Sequence, residues 1–179
     1  MTVFVKTTEG LKIWIPRRAA HLYSYPGKLD TSVAGGVRAE ESPFECIIHE
    51  AEEEASLPKD LVRERARPAG EITYVSLKRT PDLGDLMMPD CVYVFDMELL
   101  LHENIEPRPC DDEVETFELW DVPKIKEAMR NGEFKPNAAV VMIDFFIRHG
   151  IITPENEKDY VQICGRLRRE LPVPLSPPS

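Results

Sequence analysis

Residues 35–57 read GGVRAEESPFECIIHEAEEEASL, a glycine pair leading into a helix loaded with glutamate. Ser42-Pro43-Phe44-Glu45 combines an N-cap serine, a proline at the first helical position and a glutamate three residues after the serine, so the helix begins there. Phe44, Ile48, Ala51 and Ala55 follow the i, i+4, i+7, i+11 spacing of one apolar stripe, which predicts a buried face. At about 100° per residue, Glu50, Glu53 and Glu54 fall within a single arc beside that stripe, whereas Glu45 and Glu52 point elsewhere. Three crowded carboxylates repel one another unless a cation lies among them. Hard divalent ions such as Mg²⁺ take oxygen ligands and are often shared with substrate phosphates. The stretch therefore predicts metal-dependent phosphate chemistry, with a solvated charged helix face as the competing reading.

The composition frames that prediction. A chain of 179 residues with 42% hydrophobic content fills one core, and 32 acidic against 22 basic residues give a formal charge of −10. Such a balance disfavours a general nucleic-acid surface, so a diphosphate substrate needs local positive charge, aided by metal. Cys46, Cys91, Cys110 and Cys164 are scattered, form no C-x-x-C and share no zinc spacing with the four histidines; they read as reduced thiols of a cytoplasmic protein. The opening MTVFVKTTEG lacks a basic segment followed by an apolar one, and no apolar run reaches bilayer length, so neither secretion nor a membrane is expected.

Along the chain, Val3 to Lys6 and Lys12 to Arg17 read as an opening hairpin, Tyr23 to Leu29 as a turn around Pro26-Gly27, and Val33-Ala34 as a strand end before the glycines. After Pro58 the pattern reads as strands at Glu71 to Lys78, Val92 to Met97 and Glu115 to Leu119, with a long connection from Thr80 to Asp90. Helices are predicted from Val122 to Asn131 with Gly132 as the stop, from Asn137 to His149, and from about Glu155 to Arg166. The second of these is apolar nearly all round and should be buried. Residues 1–170 form the expected domain and 171–179 a proline-rich flexible tail.

The glycine-to-leucine stretch resembles the Nudix box, G-x5-E-x7-R-E-U-x-E-E-x-G-U with U a bulky apolar residue. Gly35, Glu41, Glu50, Glu53, Glu54 and Leu57 match it, while His49 stands for the arginine, Ser56 for the glycine, and Ala51 is smaller than usual. The resemblance implies an α/β class fold, the Nudix α/β/α sandwich with a mixed sheet and a loop-helix-loop box. It also implies hydrolysis of a diphosphate linked to another moiety, with Mg²⁺ as cofactor and Mn²⁺ as the alternative. The box arginine pairs with the first box glutamate, so His49 is expected to meet Glu41, with a contact that weakens above neutral pH.

WIPRR, YPGKLD, VAGG, DDEVETFEL, EFKPNAAVVMIDFFIRHG and ITPENEKDY extend the likeness to the Nudix branch found beside thiamine pyrophosphokinase in fused proteins. That branch implies a small-molecule substrate, thiamine diphosphate or its damaged oxythiamine and oxothiamine forms, and often a further domain ahead of the Nudix portion. By resemblance, Glu53 and Glu54 are the principal metal ligands, Glu50 ligates or orients the water, and the Ala34 carbonyl adds an oxygen. The general base comes from the box, where Glu50 and Glu53 stand, or from a later loop, where Glu113 is the candidate and an exposed acid is the competing reading. Arg17 and Arg18 end a strand and alternate in direction, which offers one to phosphate and the other to solvent, with an ordinary surface charge as the competing reading for each. Tyr25, with Tyr23 and Trp14, offers a ring to a heterocycle, against core packing for each. A non-catalytic binding module with the same architecture is the alternative function. The isopentenyl diphosphate isomerase branch ranks last, because LDTSVAGG carries no cysteine for its proton transfer. Oligomeric state is left open.

Overall fold

The computed structural model describes residues 1–80 and 84–173, leaving aside the side chains of residues 78–80 and 85. Among the described residues the strands and α-helices follow in the order β1 (Thr2–Thr7), β2 (Gly10–Arg18), α1 (Pro43–Ala55), α2 (Lys59–Arg65), β3 (Arg67–Thr80), β4 (Gly84–Glu98), β5 (Val114–Asp121), α3 (Val122–Arg130), α4 (Pro136–Arg148) and α5 (Tyr160–Leu167). The strands form one sheet in the order β3-β4-β1-β2-β5. β1 runs parallel to β4 and antiparallel to β2, and β2 antiparallel to β5, so the sheet is mixed as expected. The chain divides into two compact units, residues 1–68 with 95–142, and residues 69–94 with 143–179.

In the first unit the alternation of side chains along the strands assigns two faces. Val3, Val5 and Trp14 join Ile47, Ile48, Ala51, Ala55 and Leu57 in one buried cluster, with Phe117 and Leu119 of β5 packed against it. Ile13 and Ile15 point the other way, and Ile13 pairs with Trp120, over whose ring the α3 residue Lys124 lies at 3.8 Å. Helix α1 thus covers one face and α3 the other. Ser42 caps α1 by accepting from the Glu45 N–H at 3.1 Å, while the Glu45 carboxylate turns to Arg63 at 3.2 Å. At the far end Ser56 adopts φ +54°, and the Leu57 N–H reaches back to the Ala51 carbonyl at 3.0 Å with Leu57 fully buried, a Schellman closure.

In the second unit Asp144 is 1% exposed and meets Arg148 at 2.6 Å and Arg168 at 3.1 Å. Thr73 of β3 bridges to Arg168 beyond α5. Burial of Asp144 requires such partners, since an isolated carboxylate would lose its hydration uncompensated.

Three expectations are corrected and one unassigned stretch proves helical. Val33-Ala34 is not a strand: the Ser32 hydroxyl accepts from the Val3 N–H at 2.8 Å and donates to the Trp14 carbonyl at 2.6 Å, so a side chain ties this segment down in place of a ladder. Lys59–Arg65 is helical, starting at Pro58 and burying only Val62. β3 and β4 run on to Thr80 and from Gly84, so most of the expected 80–90 connection is strand, while residues 81–83 lie outside those described. The last helix starts at Tyr160 and not near Glu155, because turns closed by Thr153, Asn156 and Glu157 precede it. Of the expected tail, residues 174–179 lie outside those described.

Candidate active site

Helix α1 carries Glu50, Glu53 and Glu54 to one wall of a cavity of about 300 Å³. Ala34, Gly35, Gly36 and Arg38 also line it, and so do Asp111 and Glu113 from the segment before β5. The sequence thus gathers four of the five expected ligand or catalytic carboxyl and carbonyl positions from one 21-residue stretch, and Glu113 from a distant one. A Cβ at Gly35 would overlap the Glu50 carboxylate, so only glycine lets the side chain fold across that position. The Ala34 N–H donates to Glu54 Oε2 at 3.1 Å.

The segment bearing Glu113 is fastened twice. Near its start the Arg108 N–H donates to the Ala55 carbonyl at 2.9 Å, and the Ser56 hydroxyl donates to the Arg108 carbonyl at 3.1 Å. At its end the Ala19 N–H donates to the Glu113 carbonyl at 2.8 Å. Between them the Glu113 N–H is held by Asp111 Oδ1 at 3.0 Å.

Burial and neighbouring acids act together on the glutamates. Burial pushes the Glu54 carboxyl up to about 8 despite the Ala34 N–H, and Glu50, Asp30 and Asp111 raise it further. Glu50 is raised by burial first and by Glu53 next, with Arg38 opposing. A divalent cation fits this donor set: it is all oxygen, and a positive charge would oppose both the burial that raises Glu54 and the weaker repulsion from its acidic neighbours. As the side chains stand, no three acids, histidines or cysteines among the described residues are drawn into a ready-made ligand cage. The carboxylates would have to close on the ion.

The expected His49 and Glu41 contact is present at 2.8 Å between Nδ1 and Oε1. It holds Glu41 below the usual carboxylate range, chiefly through this hydrogen bond. Arg18 lines a narrow second compartment with Asp30, Ala34, Glu54 and Glu113, where it pairs with Asp30 at 3.2 Å. Arg17 and Tyr25 line neither. A register shift at Arg17/Arg18 interrupts the strand, and both guanidinia turn to the 24–27 turn: Arg17 to the Gly27 carbonyl at 2.9 Å, Arg18 to the Ser24 carbonyl at 3.3 Å. The two arginines therefore do not divide between phosphate and solvent by simple alternation. Tyr25 sits in that turn at φ +51° and is 47% exposed. Trp14 is buried in the core, and Tyr23 is fully exposed.

Sequence reasoning missed Arg38 and Asp111. Arg38 lies within the very stretch first quoted, three residues after Gly35, and an arginine between two glycines and a run of acids was the available signal. Asp111 was visible only as part of Asp111-Asp112-Glu113.

The family described as NUDIX domain matches residues 1–140. "Uncharacterized protein YJR142W" of Saccharomyces cerevisiae is 37% identical over 173 residues, covering 93% of this chain and 50% of the relative. "Nudix hydrolase 24, chloroplastic" of Arabidopsis thaliana is 35% identical over 157 residues, covering 87% and 40%. The chain thus spans half or less of the length of these curated relatives. Among solved structures, DR0079 from Deinococcus radiodurans superimposes with a TM-score of 0.57 over 80% of each chain at 21% identity, a likeness of fold.

Proposed function

The chain belongs to the Nudix hydrolase family, and from that membership we propose that it hydrolyses the diphosphate linkage of a small molecule with the help of a divalent cation, Mg²⁺ or Mn²⁺. The observation that carries this reading is the convergence of Glu50, Glu53 and Glu54 with Ala34 and Glu113 on one cavity. Glu53, Glu54, Glu50 and the Ala34 carbonyl would hold the ion. When bound, it supplies charge neutralisation to the phosphate oxygens and acidifies water.

The residues of the chain do the rest. Water attacks one phosphorus, the bond from that phosphorus to the bridging oxygen breaks, and the products are a monophosphate and inorganic phosphate. Little covalent work falls to the protein, so positioning and electrostatics dominate. Glu113, held through its backbone N–H and carbonyl, takes the water's proton, with Glu50 as the box alternative; Glu53 would hold the ion beside it. Arg18, turned into the adjoining compartment by Asp30, faces the phosphate side. Arg17 and Tyr25 come to the substrate only if the 24–27 turn rearranges on binding.

Thiamine diphosphate and its oxythiamine and oxothiamine forms are the proposed substrates, on the strength of the sequence likeness spread from WIPRR to ITPENEKDY. Four free cysteines fit a reducing compartment, the cytoplasm. No helix of the described residues is long and apolar enough to cross a membrane. The test is to incubate the protein with thiamine diphosphate or oxythiamine diphosphate and Mg²⁺ and to follow monophosphate and phosphate. Ion-dependent release is expected, and Glu53→Gln should lower it by about 10²-fold or more with the fold retained. Absence of turnover on both compounds by folded protein overturns the substrate, and an unchanged rate in Glu53→Gln removes Glu53 from the site.

A further inference from the structure

Among the described residues that line the acidic cavity Arg38 alone is basic, against five carboxylates. Its guanidinium nevertheless makes no hydrogen bond or ion pair with any described residue; the bonds that Arg38 makes to Glu41 involve its backbone. The reason lies in the turn that presents it. Glu41, the acid that closes that turn, spends one oxygen on His49 Nδ1 at 2.8 Å and the other on the Arg38 backbone N–H at 3.4 Å. The Glu41 N–H returns to the Arg38 carbonyl at 3.2 Å, closing the turn. Histidine on α1 thus anchors the turn and keeps its carboxylate occupied, while the exposed arginine stands at the rim. Its charge is still felt at Glu50 and Glu41.

The neighbouring cations are not equivalent. Arg18 is held by Asp30 and the Ser24 carbonyl, Lys135 by Asp30 at 3.2 Å, and Arg17 by the Gly27 carbonyl. A cavity of five acids repels an anionic substrate, and a planar guanidinium offers a fixed fork of donors matched to phosphate oxygens. We propose that Arg38 binds nonbridging oxygens of the substrate's diphosphate and so is a substrate-affinity residue of this site. This rests on the hydrolase reading above.

Inorganic pyrophosphate is the probe that tests it. Calorimetry with saturating Mg²⁺ on wild type, Arg38→Gln and Arg38→Lys should show pyrophosphate binding weakened about tenfold to hundredfold in the glutamine variant and partly recovered in the lysine one. KM for a hydrolysed diphosphate should rise by a similar factor with kcat within a few-fold. Mg²⁺ affinity without phosphate should be equal to wild type or tighter, since a cation has been taken from an acidic cavity. Because Arg38 is exposed, the variants should melt as wild type does.

Unchanged pyrophosphate affinity in Arg38→Gln overturns the assignment. So does a weakening that vanishes when Mg²⁺ is raised, which would make Arg38 an organiser of the metal site alone. A wild type that binds pyrophosphate but turns over no diphosphate sinks the hydrolase reading and leaves the binding comparison to judge Arg38. Turnover by Arg38→Gln identical to wild type sinks only Arg38.

Discussion

Glu54 stands between two opposed demands, burial that favours its neutral form and a proposed role that needs its charge. Its carboxyl is raised to about 8 from 4.5 by burial first and acidic neighbours after. The folded chain therefore binds more protons at this group than the unfolded chain does between those two values, and the contribution of Glu54 to stability falls as pH rises through that window. In chelator-treated protein the unfolding midpoint should decline from about pH 4.5 to pH 8, and Glu54→Gln, which keeps the shape without the charge, should flatten that decline. An equal slope in both proteins would mean that other groups carry it. At this scale the acidic face was legible because helical periodicity fixes where i, i+3 and i+4 side chains lie. Arg38 sits in a turn, which has no period to read. The surroundings of Arg17 were hidden for a related reason: sequence says that an arginine ends a strand, and only the folded turn supplies the Gly27 carbonyl that it meets.

Among the elements, α1 shows how one departure from a family pattern can be absorbed. Ser56 occupies the left-handed conformation at the helix end where the box has glycine, at a cost of about 1 kcal/mol for a side chain there. Its hydroxyl offsets that cost by bonding the Arg108 carbonyl. Two substitutions separate the contributions. Ser56→Ala loses the bond and keeps the strain, so it should destabilise by about 1 kcal/mol; Ser56→Gly loses the bond but relieves the strain, so it should be near neutral. Denaturant titration checks the ordering, and an alanine variant as stable as the glycine one would deny the hydroxyl any part. The helix itself was readable from its cap, its stripe and its acids. α2 was not, because Lys59–Arg65 is short, mostly polar and buries a single valine, which leaves no periodic signal. The strand ends of β3 and β4 were hidden by Gly84, Asp85 and Pro89, residues that in isolation announce a loop.

For the whole molecule, composition correctly limited the class of fold, and a mixed sheet followed from the family likeness. The order of its strands did not follow from local pattern. β1 lies beside β4, nearly a hundred residues on, and such pairing is decided by which faces must be buried together and not by any neighbouring signal. The same long reach brings Glu113 to a helix whose residues precede it by some sixty positions, through the fastenings at Ala55, Ser56 and Ala19. Those fastenings have a kinetic corollary. The amides of Arg108 and Ala19 are sealed by one and the same segment, so their deuterium uptake should be governed by a shared opening event although the two lie far apart in the chain. Exchange monitored by mass spectrometry should show both slowing together when pyrophosphate and Mg²⁺ are added, and independent rates would reveal a segment that detaches one end at a time.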